Sequence, residues 1–206
     1  MELYIVRHGE TEFNRANILQ GASIPSQLNS KGEKQASLLG ERLKKIKFDH
    51  IYTSDLNRAK KTAEIISGQL DFVPQITECR DLRERNYGDF EGHTWDDVRK
   101  NLNTDAQRSV VSAPPNGESL YDVKNRIAKF LDYVKSKHGE NDNILVVTHN
   151  GAVIMMFLCL LELTFDSHRN FIFSNGSLSC FHIGDRFNRL VLANDVCHLI
   201  DIDKDL

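Results

Sequence analysis

Short runs of apolar residues without a polar interruption constrain the fold of this chain more than any other feature. Leu3–Val6 and Ile144–Val147 carry apolar or aromatic side chains at every position. A strand with one face in water would instead alternate apolar and polar residues. Continuous runs are typical of strands that are buried on both faces, as in parallel sheets covered by helices. We therefore expect a central sheet between two layers of helices.

The remaining segments predict the other elements of this architecture. Apolar residues at helical spacing predict helices over 30–45, 55–70, 94–102, 118–137 and from 151 onward. Shorter apolar segments predict strands at 49–54, 177–183 and 189–198, and Asn175–Ser177 predicts a turn. The segments 10–29 and 74–92 are expected to be a loop and a less regular region. The predicted fold is α/β, with a mostly parallel central sheet and helices on both faces.

Composition and charge exclude several classes of function. The chain has 206 residues, of which 40% are hydrophobic and 27% charged, and this favours one globular domain over 1–206. A net charge of −3 gives no reason to expect binding to nucleic acid or to a membrane. The 4 cysteines form neither a CxxC pair nor a metal-ligand spacing. We expect a cytoplasmic protein with reduced, mostly buried thiols and no signal peptide.

Two of the buried strands end in histidine. His8 follows Arg7 and precedes a glycine, and His149 lies two residues before Gly151. The carboxyl ends of strands in an open α/β sheet form the ligand-binding edge, so both histidines are expected in one pocket. Arg58 lies in the first turn of a predicted helix, and its side chain is expected to lean back over the same edge.

Arginine beside histidine predicts an anionic ligand, and phosphoryl chemistry is the first interpretation. Guanidinium groups make bidentate contacts with phosphate, and a helix N-terminus adds backbone donors. Taken singly, His8 would be interpreted as a structural residue and Arg58 as a surface residue of a helix. Their position at one sheet edge favours a site in which Arg7, His8, Arg58 and His149 converge on one phosphate.

These residues also resemble the motifs of a known family. The sequence contains, in this order, Arg7-His8-Gly9-Glu10-Thr11 with Asn14, then Ser54-Asp55-Leu56 with Arg58, and Thr148-His149 with Gly151. This series is similar to the histidine phosphatase superfamily, in its phosphoglycerate-mutase-like branch. The resemblance extends over nearly the whole chain. It implies a phosphoglycerate-mutase-like fold and a single histidine phosphatase domain over 1–206.

The resemblance also implies roles for individual residues. His8 corresponds to the nucleophile, Glu84 to the proton donor, and His149 to a third catalytic residue that binds phosphoryl oxygens with Arg7 and Arg58. The other implied substrate-binding positions are Asn14, Gln20, Gly21 and Asn150, and Gly117-Glu118-Ser119 matches a loop near the substrate. Neither a metal nor a cofactor is expected. Without the resemblance, Glu84 would be interpreted as a surface ion-pair partner of Arg83 or Arg85.

Physical chemistry adds two expectations about protonation. The neighbouring cations should keep His8 deprotonated, because a nearby like charge lowers a histidine pKa. One ring nitrogen of His8 should be held by a backbone carbonyl, so that the other can attack phosphorus in line. His149 is expected to be protonated and to meet the charge of the phosphoryl oxygens together with the two guanidiniums.

Local sequence favours a phosphatase over a mutase. Tyr87–Gly92 resembles the phosphatase branches, and 114–119 looks like the fructose-bisphosphatase type, although phosphoserine phosphatases look similar. Mutases of the family carry a longer insert with paired arginines, whereas only Arg108 lies between Arg99 and Gly117, and Trp95 stands near their lysine position. The predicted function is hydrolysis of small phosphorylated metabolites, such as phosphoserine or sugar bisphosphates, through a phosphohistidine. The alternative is a cofactor-dependent phosphoglycerate mutase.

Two further classes of function stay open at this point. A metal-dependent hydrolase would use His8, His149 and Glu84 as ligands, and a non-catalytic protein would only bind a phosphorylated ligand in the same pocket. Substrate specificity is expected to reside in 13–26, in 95–112 and around Asn150. The expected partner is a small phosphorylated molecule, and the chain is expected to be a monomer or a homodimer.

Overall fold

The computed structural model describes residues 1–101, 112–200 and 202, which are built around one β-sheet. Its strands are β1 (Glu2–Arg7), β2 (His50–Thr53), β3 (Gln75–Glu78), β4 (Asn143–Thr148), β5 (Leu178–Ile183) and β6 (Asn188–Asp195). They lie in the order β3-β2-β4-β1-β5-β6. The first four run parallel, whereas β5 is antiparallel to β1 and to β6. The predicted α/β class with a mostly parallel sheet is confirmed.

The helices begin where the sequence supplies capping groups or apolar faces. They are α1 (Glu12–Arg15), α2 (Ser30–Leu43), α3 (Asn57–Ser67), α4 (Trp95–Asn101), α5 (Leu120–Lys137) and α6 (Asn150–Leu160). Asn29 caps α2 by accepting a hydrogen bond from the Gly32 N–H at 2.8 Å. Ser119 and Asp122 form a reciprocal capping box at the start of α5. Helix α6 is apolar on nearly every side, and it is correspondingly buried.

Helices cover both faces of the sheet, as the sequence predicted. Leu3 and Ile5 of β1 share a core with α5 and α6, whereas Val6 packs with α2 and α3 on the other face. The same division holds along β4, where consecutive residues belong to opposite cores. Burial of one such side chain contributes about 1.5–3 kcal/mol to stability. The inner positions of the two strands, Leu3–Val6 and Ile144–Val147, are therefore apolar or aromatic because each faces a helix layer.

The strand order places side by side the strand ends that carry the candidate catalytic residues. β1 and β4 are neighbours at the centre of the sheet, and Arg7 is in register with Thr148. β2 pairs with the other edge of β4, so that Thr53 lies beside Val147. The residues that follow these strands, which are His8, Ser54 and His149, consequently meet at one edge of the sheet.

Three elements differ from the sequence prediction. The segment 74–92 contains β3, an edge strand whose polar sequence gives little apolar signal. The loop 10–29 contains α1, one helical turn held by a capping box of Thr11 and Asn14. β6 ends at Asp195, before a 3-10 turn over Cys197–Leu199. Arg108 and most of the predicted specificity segment 95–112 lie outside the described residues.

The cysteines are free, but the expectation that most of them are buried was wrong. Cys180 is buried, Cys79 and Cys159 are half-buried, and Cys197 is exposed. No helix in the described part of the chain combines the length and the apolar character needed to cross a membrane.

Candidate active site

A cavity of about 100 Å³ lies at the carboxyl ends of β1 and β4. Eight of the nine predicted site residues line it, and they are Arg7, His8, Asn14, Gln20, Gly21, Arg58, Glu84 and Asn150. The ninth, His149, packs its ring against that of His8 with 5.1 Å between the ring centroids. Binding sites for whole small molecules usually measure about 300–1,000 Å³, so this cavity encloses only a small chemical group.

His8 is buried, and one of its ring nitrogens is fixed by the backbone. Its Nδ1–H donates to the Gly9 carbonyl at 2.7 Å, because a carbonyl oxygen can only accept, and this leaves the lone pair on Nε2. Burial, followed by the charges of Arg58 and Arg7, lowers the pKa of His8 well below its ordinary value. Both expectations for His8, a carbonyl partner and a neutral ring, are confirmed.

Gly9 has no space for a side chain. A Cβ atom at this position would lie 2.3 Å from the Gly32 carbonyl oxygen. The glycine therefore lets the turn that follows His8 pack directly on the start of α2.

His149 differs from the sequence expectation in its protonation. Burial and the Arg58 charge, with His8, Arg126 and Arg7 as smaller causes, lower the pKa of His149 well below its ordinary value. This direction favours a neutral ring, in contrast to the imidazolium that the sequence analysis expects opposite the phosphoryl oxygens. Ser54 Oγ accepts from the Leu56 N–H at 3.3 Å and lies 2.8 Å from His149 Nε2. Because an N–H group cannot accept, we assign the hydroxyl hydrogen of Ser54 to Nε2. The hydrogen of His149 is then on Nδ1, which remains a donor.

The two arginines are fixed by backbone and hydroxyl groups. Arg58 is 2% exposed, and it donates through Nη2 to the Gly21 carbonyl at 2.7 Å and through Nη1 to Ser26 Oγ at 3.1 Å. Arg7 donates through Nη1 to the Phe173 carbonyl. Burial lowers the pKa of each guanidinium to about 10, so both stay charged at neutral pH.

Three buried side-chain nitrogens around His8 have no hydrogen-bond partner among the described residues. They are Arg7 Nε, Arg58 Nε and His149 Nδ1. A buried donor without a partner costs about 1–3 kcal/mol, and more when it is charged. Such a cluster is stabilised by an anion with several acceptor oxygens, and a phosphoryl group has this chemistry.

Glu84 also lines the cavity, and two backbone N–H groups hold its side chain. Its carboxylate accepts from the Gly151 N–H at 3.1 Å and from the Arg85 N–H at 2.8 Å. Arg83 is paired with Asp55 at 2.6 Å instead, and Arg85 Nε donates to the Glu118 carbonyl at 2.8 Å. The interpretation of Glu84 as an ion-pair partner of either arginine was therefore wrong.

Comparison with known protein families identifies the family of this chain. The model of the histidine phosphatase superfamily (branch 1) matches residues 3–196. The chain belongs to this superfamily.

Relatives carry both of the predicted types of activity in their names. The chain is 32% identical to a metal-independent phosphoserine phosphatase of Arabidopsis thaliana, over 98% of this chain and 84% of that protein. It is 36% identical to a 2,3-bisphosphoglycerate-dependent phosphoglycerate mutase of Bartonella tribocorum, over 77% of this chain and 80% of that protein. The solved structure of YhfR from Bacillus stearothermophilus has 29% sequence identity and a TM-score of 0.85, over 96% of this chain and 98% of that one. The predicted family and its fold are confirmed.

Amide side chains line the cavity of this histidine phosphatase with their oxygens already engaged. Gln20 Oε1 accepts from the hydroxyls of Thr11 and Ser26 at 3.0 and 2.7 Å. Asn14 Oδ1 accepts from the Thr11 N–H at 3.1 Å, and Asn150 Oδ1 accepts from the Phe173 N–H at 3.2 Å. The NH₂ group of each amide is thus the part that can donate to a ligand.

Sequence reasoning missed two groups that support this histidine phosphatase site. Asn175 was interpreted only as part of a turn, which is confirmed, but its Nδ2 also donates to the His8 carbonyl at 3.1 Å and to Asn14 Oδ1 at 3.2 Å. Glu91 accepts from the backbone N–H groups of Ala22 and Ser23, both at 2.9 Å, and so holds the loop that carries Gly21. No local pattern identifies either role, because both depend on contacts between distant segments.

The buried neutral histidines predict a loss of stability in mild acid. The pKa values of His8 and His149 are lower in the folded state than in the unfolded chain, so below pH of about 6.5 the unfolded chain binds more protons. The free energy of unfolding is therefore at its full value above this pH. Below it, each histidine lowers the free energy of unfolding by up to about 1.4 kcal/mol per pH unit. We expect urea unfolding at pH 7.5 and 5.5 to show a smaller pH dependence in His149→Gln than in the wild type. An equal pH dependence in both proteins would contradict this account.

Proposed function

We propose that this chain hydrolyses phosphomonoesters through a phosphohistidine formed on His8. The observation that carries the proposal is the group of three unpartnered nitrogens, on Arg7, Arg58 and His149, gathered around a neutral imidazole. Two guanidinium charges and one imidazole N–H can bind the phosphoryl oxygens and stabilise the charge that they carry in the transition state. Asn14, Gln20, Gly21 and Asn150 complete the substrate-binding surface.

In the first step, the lone pair of His8 Nε2 forms a bond to phosphorus while the bond from phosphorus to the ester oxygen breaks. The hydrogen bond from Nδ1 to the Gly9 carbonyl supports the positive charge that develops on the ring. The Glu84 carboxyl group gives its proton to the departing oxygen, which leaves as an alcohol. The products of this step are the phosphoenzyme, the alcohol and a Glu84 carboxylate.

In the second step, the Glu84 carboxylate takes a proton from water as the water oxygen attacks phosphorus. The bond between phosphorus and Nε2 breaks, and inorganic phosphate leaves with His8 neutral and Glu84 protonated again. The net reaction is phosphomonoester plus water to alcohol plus phosphate. Each protein group thus returns to its starting state.

We favour hydrolysis over phosphoglycerate mutation for this site. A mutase has to keep water from its phosphoenzyme and return the phosphoryl group to a bound substrate. Trp95 lines the cavity here, near the position where the mutases of the family are expected to carry a lysine. The proposed substrates are small phosphorylated metabolites, with phosphoserine and sugar bisphosphates as the first candidates.

A metal-dependent mechanism does not fit the donor set. In the described part of the chain, no group of three or more His, Cys, Asp or Glu side chains is placed to hold a metal ion. Two guanidinium groups beside the same cavity would repel a cation. We therefore expect the wild-type enzyme to keep its full rate in excess chelator.

A panel of phosphorylated metabolites tests the function directly. It contains phosphoserine, fructose bisphosphates and monophosphoglycerates with and without 2,3-bisphosphoglycerate, each assayed with and without a chelator. The expected result is release of inorganic phosphate at equal rates under both conditions. Interconversion of monophosphoglycerates faster than phosphate release would overturn the hydrolase proposal, and loss of activity in the chelator would replace it with a metal-dependent hydrolase.

We further propose a cytoplasmic enzyme with one catalytic domain over 1–206, acting as a monomer or a homodimer without nucleic acid or membrane partners. The free cysteines support a reducing compartment. The family match over 3–196 supports a single domain.

A further inference from the structure

A charged pair outside the cavity holds the loop that carries Glu84. Arg126 of α5 has a side chain that is 14% exposed, and it lies under this loop. Its Nη1 donates to the carbonyls of Asp81 at 2.6 Å and Arg83 at 2.8 Å, and its Nη2 donates to the Glu84 carbonyl at 3.2 Å. A single guanidinium thus fixes the backbone on the N-terminal side of Glu84 and at Glu84 itself.

Glu118 extends this support to the C-terminal side of Glu84. Its carboxylate receives Arg126 Nε on Oε1 at 3.0 Å and Arg126 Nη2 on Oε2 at 3.2 Å. The same Oε2 accepts from the Asn86 N–H at 3.0 Å, and the Glu118 N–H donates to the Asn86 carbonyl at 2.8 Å. The loop is therefore clamped on both sides of the proposed proton donor by one ion pair.

The ion pair is anchored on helix α5 and lies outside the lining of the cavity. Arg126 and Glu118 are absent from the residues that line the cavity, whereas Glu84 is among them. Arg126 is followed directly by Ile127, which is fully buried in the core between α5 and α6. A largely buried ion pair adds little to stability once its desolvation is counted, but removal of one partner leaves the other uncompensated. The main effect of the ion pair is therefore to fix the geometry of the loop that carries Glu84.

We propose that Arg126 and Glu118 are positioning residues, which set the Glu84 carboxyl group against the leaving oxygen of the substrate. This inference rests on the proposed function of Glu84. Neither residue is among those that line the cavity. The contact between α5 and the 81–86 loop would then determine how accurately the Glu84 carboxyl group is placed for proton transfer.

Arg126→Lys and Glu118→Gln test the proposal, the first with the positive charge kept and the second with the size of the side chain kept but its negative charge removed. Lysine keeps the positive charge near His149 but cannot hold three carbonyls and a carboxylate in one plane. For an alkyl phosphate, we expect kcat/KM to fall about 10–100-fold in each variant, since a misplacement of about 1 Å can cost 100-fold. For nitrophenyl phosphate, whose leaving group needs no proton, we expect kcat/KM to change by less than about threefold. Lys129→Gln, on an exposed position of the same helix, is the matched control and should change neither value.

A double-variant cycle with Glu84→Gln decides whether the pair acts through Glu84. We expect Arg126→Lys combined with Glu84→Gln to be no slower on the alkyl phosphate than Glu84→Gln alone, because the positioned group is already gone. Losses that multiply in the double variant, or an equal loss on both substrates in Arg126→Lys and Glu118→Gln, would overturn the inference. Neither outcome affects the proposed function, which is tested separately in the wild-type enzyme by phosphate release, by its response to a chelator and by the adduct on His8.

Discussion

Replacement of His8 by alanine is expected to reduce kcat by about 10⁴-fold or more, because removal of a nucleophile abolishes the covalent route. The nearest alternative, His149, has its Nε2 engaged by Ser54, so its ring is not arranged to replace His8. The bond between phosphorus and a histidine nitrogen is hydrolysed in acid, so the phosphoenzyme should be trapped by rapid quenching in base and detected by mass spectrometry. We expect this adduct on His8 in the wild type and its absence in His8→Ala.

The control for this experiment is His93→Ala. The His93 side chain is exposed, and its ring is not part of the cavity lining. We expect this variant to keep both turnover and the trapped adduct. If His8→Ala still formed an adduct and turned over at a comparable rate, the nucleophile would be another residue. If the wild type bound phosphate but never formed an adduct, the chain would be a phospho-ligand binder.

The position of the site was predictable from sequence because strand ends carry its central residues. His8 and His149 follow the two neighbouring central strands, whose fully apolar sequences identify them as buried in a parallel sheet. Arg58 was predictable as well, since side chains of a first helical turn lean toward the strand that precedes the helix. These signals involve residues that are close together in the chain, so they can be recognised in a single sequence.

The supporting contacts were not predictable, because each joins residues that are far apart in the chain. Asn175 reaches the His8 carbonyl across 167 positions, and Arg126 reaches the Asp81 carbonyl across 45. A polar residue with such a role has no distinguishing pattern around it. The neutral state of His149 also depends on its complete burial, which the motif Thr148-His149 does not reveal.

Arg58→Met is expected to reduce kcat/KM for a phosphomonoester by about 10³-fold. Two unit charges about 4 Å apart interact with roughly 4 kcal/mol at an effective dielectric constant of 20, and this corresponds to about three decades in rate. Arg58 is 2% exposed, so its charge acts in a site that water screens poorly. Methionine has a similar length but no charge and no N–H groups. The measurement is kcat/KM, with Lys61→Met at an exposed position of the same helix as the matched control.

The same substitution should also remove most of the stabilisation that bound phosphate gives to the folded state. Inorganic phosphate at about 100 times its Kd is expected to stabilise the wild type by about 2.7 kcal/mol, because it binds the folded state alone. Arg58→Met should lose most of this gain at the same phosphate concentration, while its stability without phosphate is expected to fall by about 1–3 kcal/mol, because the Gly21 carbonyl and the Ser26 hydroxyl lose their buried donor. Urea unfolding with and without phosphate measures both quantities. Among the residues that the structure describes, the buried Arg58 Nε has no hydrogen-bond partner, so phosphate bound in the cavity is expected to depend on it. An undiminished phosphate effect in Arg58→Met would therefore place the phosphoryl site elsewhere.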